Sequence, residues 1–150
     1  MEKYQHRPLD TESCEIRLLR IEKSTDDVAP LVITLRHAQL DDGEQFNALS
    51  YVWGEGGPTY KCTIRDGISE GYLHIRQNLY GFLSTARRLE ADWTTEWIWI
   101  DQICIKQEDH TERCHQVNQM GNLYSTAQAT IVWPGYVDPW GPSEPESPRL

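Results

Sequence analysis

Asp101, Gln102, Cys104, Gln107, Glu112, Arg113 and Gln116 bring carboxylate, thiol, guanidinium and amide groups into one short stretch. Asp101 can serve as a general base, a ribose ligand or a metal ligand, or simply accept backbone N–H bonds in a turn. Glu112 is a second acidic candidate, yet it stands three residues after Asp109, the spacing of a helix capping box. Arg113 can pair with Asp101 or hold an anion. Gln107 and Gln116 carry no proton-transfer chemistry and can only orient a substrate or face water. Cys104 is a thiol nucleophile only if His110 or His115 meets it in space, and cysteine is as often a small buried filler. His115 follows Cys114 directly on the expected helix, so those two side chains diverge. A further acid, Glu55, lies in Trp53-Gly54-Glu55-Gly56-Gly57-Pro58. There Gly54 can admit positive φ or let backbone approach a ligand, and Trp53 is either core or a stacking surface. That loop is neither G-x-G-x-x-G nor a P-loop.

These residues need a frame. Trp97-Ile98-Trp99-Ile100 is apolar without alternation, as in a strand buried on both faces. Asp101 ends it, at the strand edge where open α/β sheets bind ligands. Val117, Met120, Gly121, Tyr124 and Ala127 then recur at helical spacing and predict one apolar face. Residues 129–133 return as another buried strand, which makes a βαβ unit. Upstream, strands are expected at 16–21, 31–37 and 46–53, the last of them central. A hairpin is expected over 60–75 around Asp66-Gly67 and Glu70-Gly71. A helix follows, with Asn78 as N-cap and Arg87 and Arg88 in its last turn, where the helix dipole favours cations. Together these give an α/β fold: a mostly parallel sheet flanked by helices, with a β-hairpin insertion. Residues 1–15 read as a mobile lead-in, 16–135 as the domain, and 136–150, rich in Pro and Gly, as a disordered tail or linker.

The chain has 150 residues and a formal net charge of −9, which disfavours both non-specific nucleic-acid binding and docking on anionic membranes. Its four cysteines include no C-x-x-C pair, so no metal site is expected, and reduced thiols fit a cytoplasmic setting. No apolar run approaches the roughly 20 residues of a membrane span.

Three ordered blocks carry a resemblance. Residues 46–55, FNALSYVWGE, resemble the first block of the fungal heterokaryon incompatibility (HET) domain. Residues 99–109, WIDQICIKQED, with Glu112-Arg113 and Gln116-Val117, resemble the second. Met120, Leu123-Tyr124, Ala127 and Ile131-Val132-Trp133-Pro134-Gly135 resemble the third. Gln102, Lys106 and Pro134 stand where that family usually has Ala, Asn and Leu. The resemblance implies a fungal protein of nonself recognition whose domain triggers programmed cell death. It also implies a TIR/flavodoxin-like architecture, since HET domains are regarded as remote relatives of TIR domains, some of which cleave NAD through a glutamate.

Two mechanisms follow from it. In one, the domain breaks the nicotinamide–ribose bond of NAD as substrate. Glu112, Asp101 or Glu55 then stabilises the cationic centre, and Trp53, Gly54, Arg113, Gln107 and Gln116 hold the ligand. In the other, the domain is a non-enzymatic assembly module that meets protein partners or copies of itself, with aromatics such as Tyr136 and Trp140 at the interface. A weaker third reading is a thiol hydrolase through Cys104.

Overall fold

The structure, a computed structural model, describes residues 1–135. Seven strands form one sheet: β1 (Glu15–Ile21), β2 (Val32–Gln39), β3 (Asn47–Tyr51), β4 (Tyr60–Arg65), β5 (Glu70–Ile75), β6 (Ile98–Trp99) and β7 (Ala129–Trp133). The helices are α1 (Gln77–Ala86), α2 (Asp101–Cys104) and α3 (His110–Thr126). The spatial order is β5-β4-β2-β1-β6-β3-β7.

The sheet is mixed, not mostly parallel. β1 runs antiparallel to both β2 and β6, and β4 to β5, whereas β2/β4, β3/β6 and β3/β7 are parallel. The β1–β2 and β4–β5 connections fold straight back as hairpins, whereas a parallel return needs a crossover. The β4–β5 hairpin is not an insertion beside the sheet, because β4 pairs with β2 and extends it.

Burial explains which strands sit where. β1 is central: Ile16, Arg17, Leu18 and Leu19 are all fully buried. Ile98, Trp99 and Ile100 are fully buried too, as their unbroken apolar run requires. Trp97 lies outside the strand, with the guanidiniums of Arg20 and Arg36 each 4.3 Å from its ring centre. β3, expected at the centre, is one strand from the edge, and β7 is itself the edge among the described strands. β7 therefore leaves Val132 exposed instead of burying both faces. β6 and β7 both run parallel to β3 and flank it.

The helices lie on opposite faces. Phe82 of α1 meets Trp133, whose register partner is Tyr51, while Tyr124 of α3 meets Trp99, paired with Ala48. Tyr51 and Ala48 are three apart and so point to opposite sides. The apolar stripe expected on α3 is displaced. Its buried residues are Glu112, Gln116 and Leu123, whereas Val117 and Gly121 are exposed. A buried ion pair, described below, rotates the helix away from its apolar periodicity.

Two termini differ from expectation as well. Asn78 lies inside α1, whose N-cap is Arg76, and its Nδ2 donates to the Val52 carbonyl at 2.9 Å. Arg87 is the C-cap and is buried, donating to the carbonyls of Ala29, Pro30 and Asp27, so it clamps a loop instead of only answering the helix dipole.

The first nine residues are not a loose lead-in. Tyr4, His6 and Leu9 are buried. The Tyr4 N–H donates to the Tyr72 carbonyl at 2.8 Å and the Tyr72 N–H to the Glu2 carbonyl at 3.0 Å, extending the β5 edge. The Tyr4 hydroxyl donates to Asp66 at 2.7 Å. The expected tail over 136–150, with Tyr136 and Trp140, lies outside the described residues.

Candidate functional site

Because β3 and β6 are parallel neighbours, their carboxyl ends share one edge. This brings Trp53 and Asp101 together across 48 residues of sequence: the indole Nε1–H donates to Asp101 Oδ2 at 2.9 Å. The other carboxylate oxygen, Oδ1, is buried and makes no hydrogen bond of normal geometry. Burial raises the Asp101 pKa above the usual aspartate value, against the opposing pull of the Trp53 indole, the Tyr51 hydroxyl and the Gln102 backbone N–H.

Gln102 ties three elements. Its Nε2 donates to the Tyr51 hydroxyl at 2.9 Å, and its Oε1 accepts the Arg76 backbone N–H at 2.7 Å. Gln107 donates from Nε2 to the Asp101 carbonyl at 2.9 Å. The Arg76 guanidinium lies 5.2 Å from the Trp53 ring centre and donates to the Gly56 carbonyl at 2.7 Å. Gly54 has φ of +80°, and a Cβ there would come within 2.8 Å of Asn78 Nδ2. Its backbone freedom thus serves the close approach of α1.

These groups border a cavity of about 440 Å³, within the range of small-molecule sites. Trp53, Arg76, Gln102 and Gln107 line it, with Lys3 and His6 from the N-terminal segment, Tyr72 and His74 from β5, and Glu108 from the loop after α2. Asp101 does not line it: this carboxylate sits behind the indole and holds it in place.

Glu112 lies elsewhere. Its side chain is 2% exposed, and Arg17, fully buried on β1, grips it through Nη1 to Oε2 at 2.9 Å and Nη2 to Oε1 at 2.6 Å. Arg17 also donates to the carbonyls of Cys104 and Arg7, and the Lys106 N–H reaches the Glu112 carboxylate. Only half of the expected capping box forms: Asp109 Oδ1 accepts the Glu112 N–H at 3.0 Å, while the glutamate side chain turns inward.

The remaining candidates divide. Gln116 is buried under β1, donating to the Glu15 carbonyl, away from the cavity. Arg113 is exposed and reaches the Gln107 carbonyl at 3.4 Å and His110 at 3.3 Å, not Asp101. Glu55 is exposed on the loop after Trp53 and does not line the cavity. Glu55, Asp101 and Arg113 therefore do not line the cavity, although the Trp53 loop and Asp101 share an edge. Cys104 is fully buried and burial pushes its thiol up to about 12, so it is no thiolate at neutral pH. His110 contacts Cys114 at 3.6 Å and His115 the Ser13 carbonyl at 2.7 Å, so Cys104 has neither as a base.

Sequence reasoning did not find Lys3, His6, His74, Arg76 and Glu108 as cavity residues. The signal that could have found some of them is Tyr4, His6 and Leu9 in the opening segment, whose period-two spacing over 4–6 is that of an added strand. Among the described residues no His/Cys/Asp/Glu group is arranged to hold a metal ion, and no helix is long and apolar enough to cross a membrane.

The family model for the heterokaryon incompatibility protein (HET) matches residues 46–144, which includes β3, the Trp53 loop, α2 and α3. Heterokaryon incompatibility protein 6, OR allele, of Neurospora crassa is 33% identical over 141 residues. That alignment covers 88% of this chain but 20% of that protein, so the chain spans about one fifth of its relative's length. No solved structure gives a significant match. With the Trp53–Asp101 edge, the second-block residues of α2 and α3 and the family match all falling on the same region, the chain belongs to the heterokaryon incompatibility (HET) family.

Proposed function

We propose that this chain is a domain of fungal nonself recognition that works in the cytoplasm as a cell-death signalling module, through assembly with protein partners or with itself. Family membership and the name of the Neurospora crassa relative support the recognition role. The observation that carries the choice of mechanism is the state of the two carboxylates. Glu112 is buried against Arg17, and Asp101 is bound to Trp53 behind the cavity wall. Both hold the fold, and neither opens to the cavity.

Induced expression in a filamentous fungus tests the role: growth arrest is expected, with tagged chain distributed through the cytoplasm. Concentrated purified domain incubated with NAD tests the mechanism. An assembly module gives concentration-dependent self-association or partner binding without nicotinamide release; catalytic release would overturn that reading.

One observation favours NAD cleavage as a second reading. The cavity beside Trp53 is large enough for a small ligand and has one carboxylate in its lining, Glu108. In that reading Glu108, not Glu112, faces the cationic centre, and Asp101 positions the indole. Nicotinamide release that survives Glu112→Gln in folded protein but is lost in Glu108→Gln would identify it.

A further inference from the structure

We infer that the cavity beside Trp53 binds a flat aromatic anion, a ring carrying a phosphate or carboxylate. The inference stands on the cavity and does not require that any bond be broken there. Two features carry it. The first is charge. Lys3 and Arg76 line the cavity against one carboxylate, Glu108, in a chain whose net charge is −9. Neither forms an ion pair among the described residues; the Arg76 guanidinium donates from Nη1 to the Gly56 carbonyl and lies over the Trp53 ring at 5.2 Å. The Nε and Nη2 donors keep the planar fork that suits phosphate and carboxylate. The second is the ring surface. Trp53, Tyr72 and His74 all line the cavity, with Tyr72 and His74 in an edge contact at 5.3 Å. The indole is held from behind by Asp101, so its orientation is set before any ligand arrives. One cation lies over each of two rings, Arg76 over Trp53 and Lys61 over Tyr72, and ring surface beside such cations selects a planar group with a negative substituent over either part alone.

The volume of about 440 Å³ admits a ligand the size of a nucleoside monophosphate. The test is isothermal titration of the full chain at low salt with adenosine 5′-monophosphate, adenosine and inorganic phosphate. The expected result is saturable one-to-one binding of the monophosphate, with adenosine and phosphate each at least about tenfold weaker. Arg76→Gln and Lys3→Gln should each weaken the monophosphate about tenfold, the effect of losing one charge-assisted contact. Lys3 is exposed, so its replacement keeps the test valid if Arg76→Gln perturbs the loop at Gly56; melting temperature reports on both. Absence of monophosphate binding overturns the inference, as does phosphate binding equally well or binding indifferent to both substitutions. The monophosphate has no nicotinamide bond, so this outcome is independent of the NAD assay.

Discussion

Arg17 and Glu112 are two ions withdrawn from water, at a cost of several kcal/mol each that only good mutual geometry offsets. The geometry is good: two guanidinium–carboxylate bonds, with the other Nη1 and Nη2 donors spent on the carbonyls of Cys104 and Arg7 and only Nε left without a partner. Such a pair is dangerous to break from one side. Glu112→Gln keeps shape but leaves the Arg17 charge buried, so urea denaturation should show a loss of about 3–5 kcal/mol. An unchanged urea midpoint would show that the pair does not hold the fold. Asp101 behaves differently. Its pKa is raised by burial, so the folded chain binds that proton more tightly than the unfolded one. Its ionisation therefore costs stability, and the cost grows as pH rises from the unfolded value through the folded one. Asp101→Asn keeps an acceptor for the Trp53 indole and removes the charge. Its melting temperature should exceed that of the parent at pH 7, with the gain fading as pH falls through the folded pKa. A lower melting temperature at pH 7 would mean that the charge itself is needed there.

At the scale of elements, the N-terminal segment and β5 form one wall of the cavity, and Gly71 is where they touch. A Cβ on Gly71 would come within 2.6 Å of the Tyr4 backbone and 2.9 Å of the Glu2 carbonyl. These are backbone atoms and cannot swing aside. Gly71→Ala should cost about 1–3 kcal/mol, as overpacking does. Hydrogen exchange should localise the damage: the Tyr4 and Tyr72 amides, bonded across this contact, exchange faster while those between β1 and β2 keep their protection. Uniform acceleration across the sheet would instead mean that the segment folds as one unit with the core. The α3 helix makes a related point about elements. Val117 and Gly121 belong to its apolar periodicity yet face out, because the helix is turned so that Glu112 reaches Arg17 and Gln116 reaches the Glu15 carbonyl. A polar anchor has overridden hydrophobic phase.

For the whole molecule, residues 1–9 close the fold. They place Tyr4 and Leu9 in buried positions, give Arg17 the Arg7 carbonyl and supply Lys3 and His6 to the cavity. Burial of each large side chain is worth about 1.5–3 kcal/mol. Deleting residues 1–9 should thus lower stability by about 3–6 kcal/mol, read as a shift in the thermal or urea transition. A truncated chain that melts like the parent would return the segment to the status of a loose lead-in.

Much was legible in the residues themselves. The unbroken apolar run at 97–100, the Asp66-Gly67 turn and the Asp109 cap each carry their own local signal, and the structure forms a strand, a hairpin and a helix start there. Asp101 at the end of that apolar run was legible too, whereas its meeting with the Trp53 loop rests on β3 and β6 being parallel neighbours. What the chain in one dimension could not decide was partner choice. Strand order, the antiparallel pairings of β1 and the edge position of β7 depend on which surfaces meet, and periodicity is blind to that. So is the fate of a charge. Glu112 reads as a cap or a catalyst until Arg17, 95 residues away, takes its carboxylate inside. The cavity is the same kind of fact: Lys3, Trp53, His74, Arg76 and Glu108 share no motif, and only the closing of the opening segment over β5 brings them to one place.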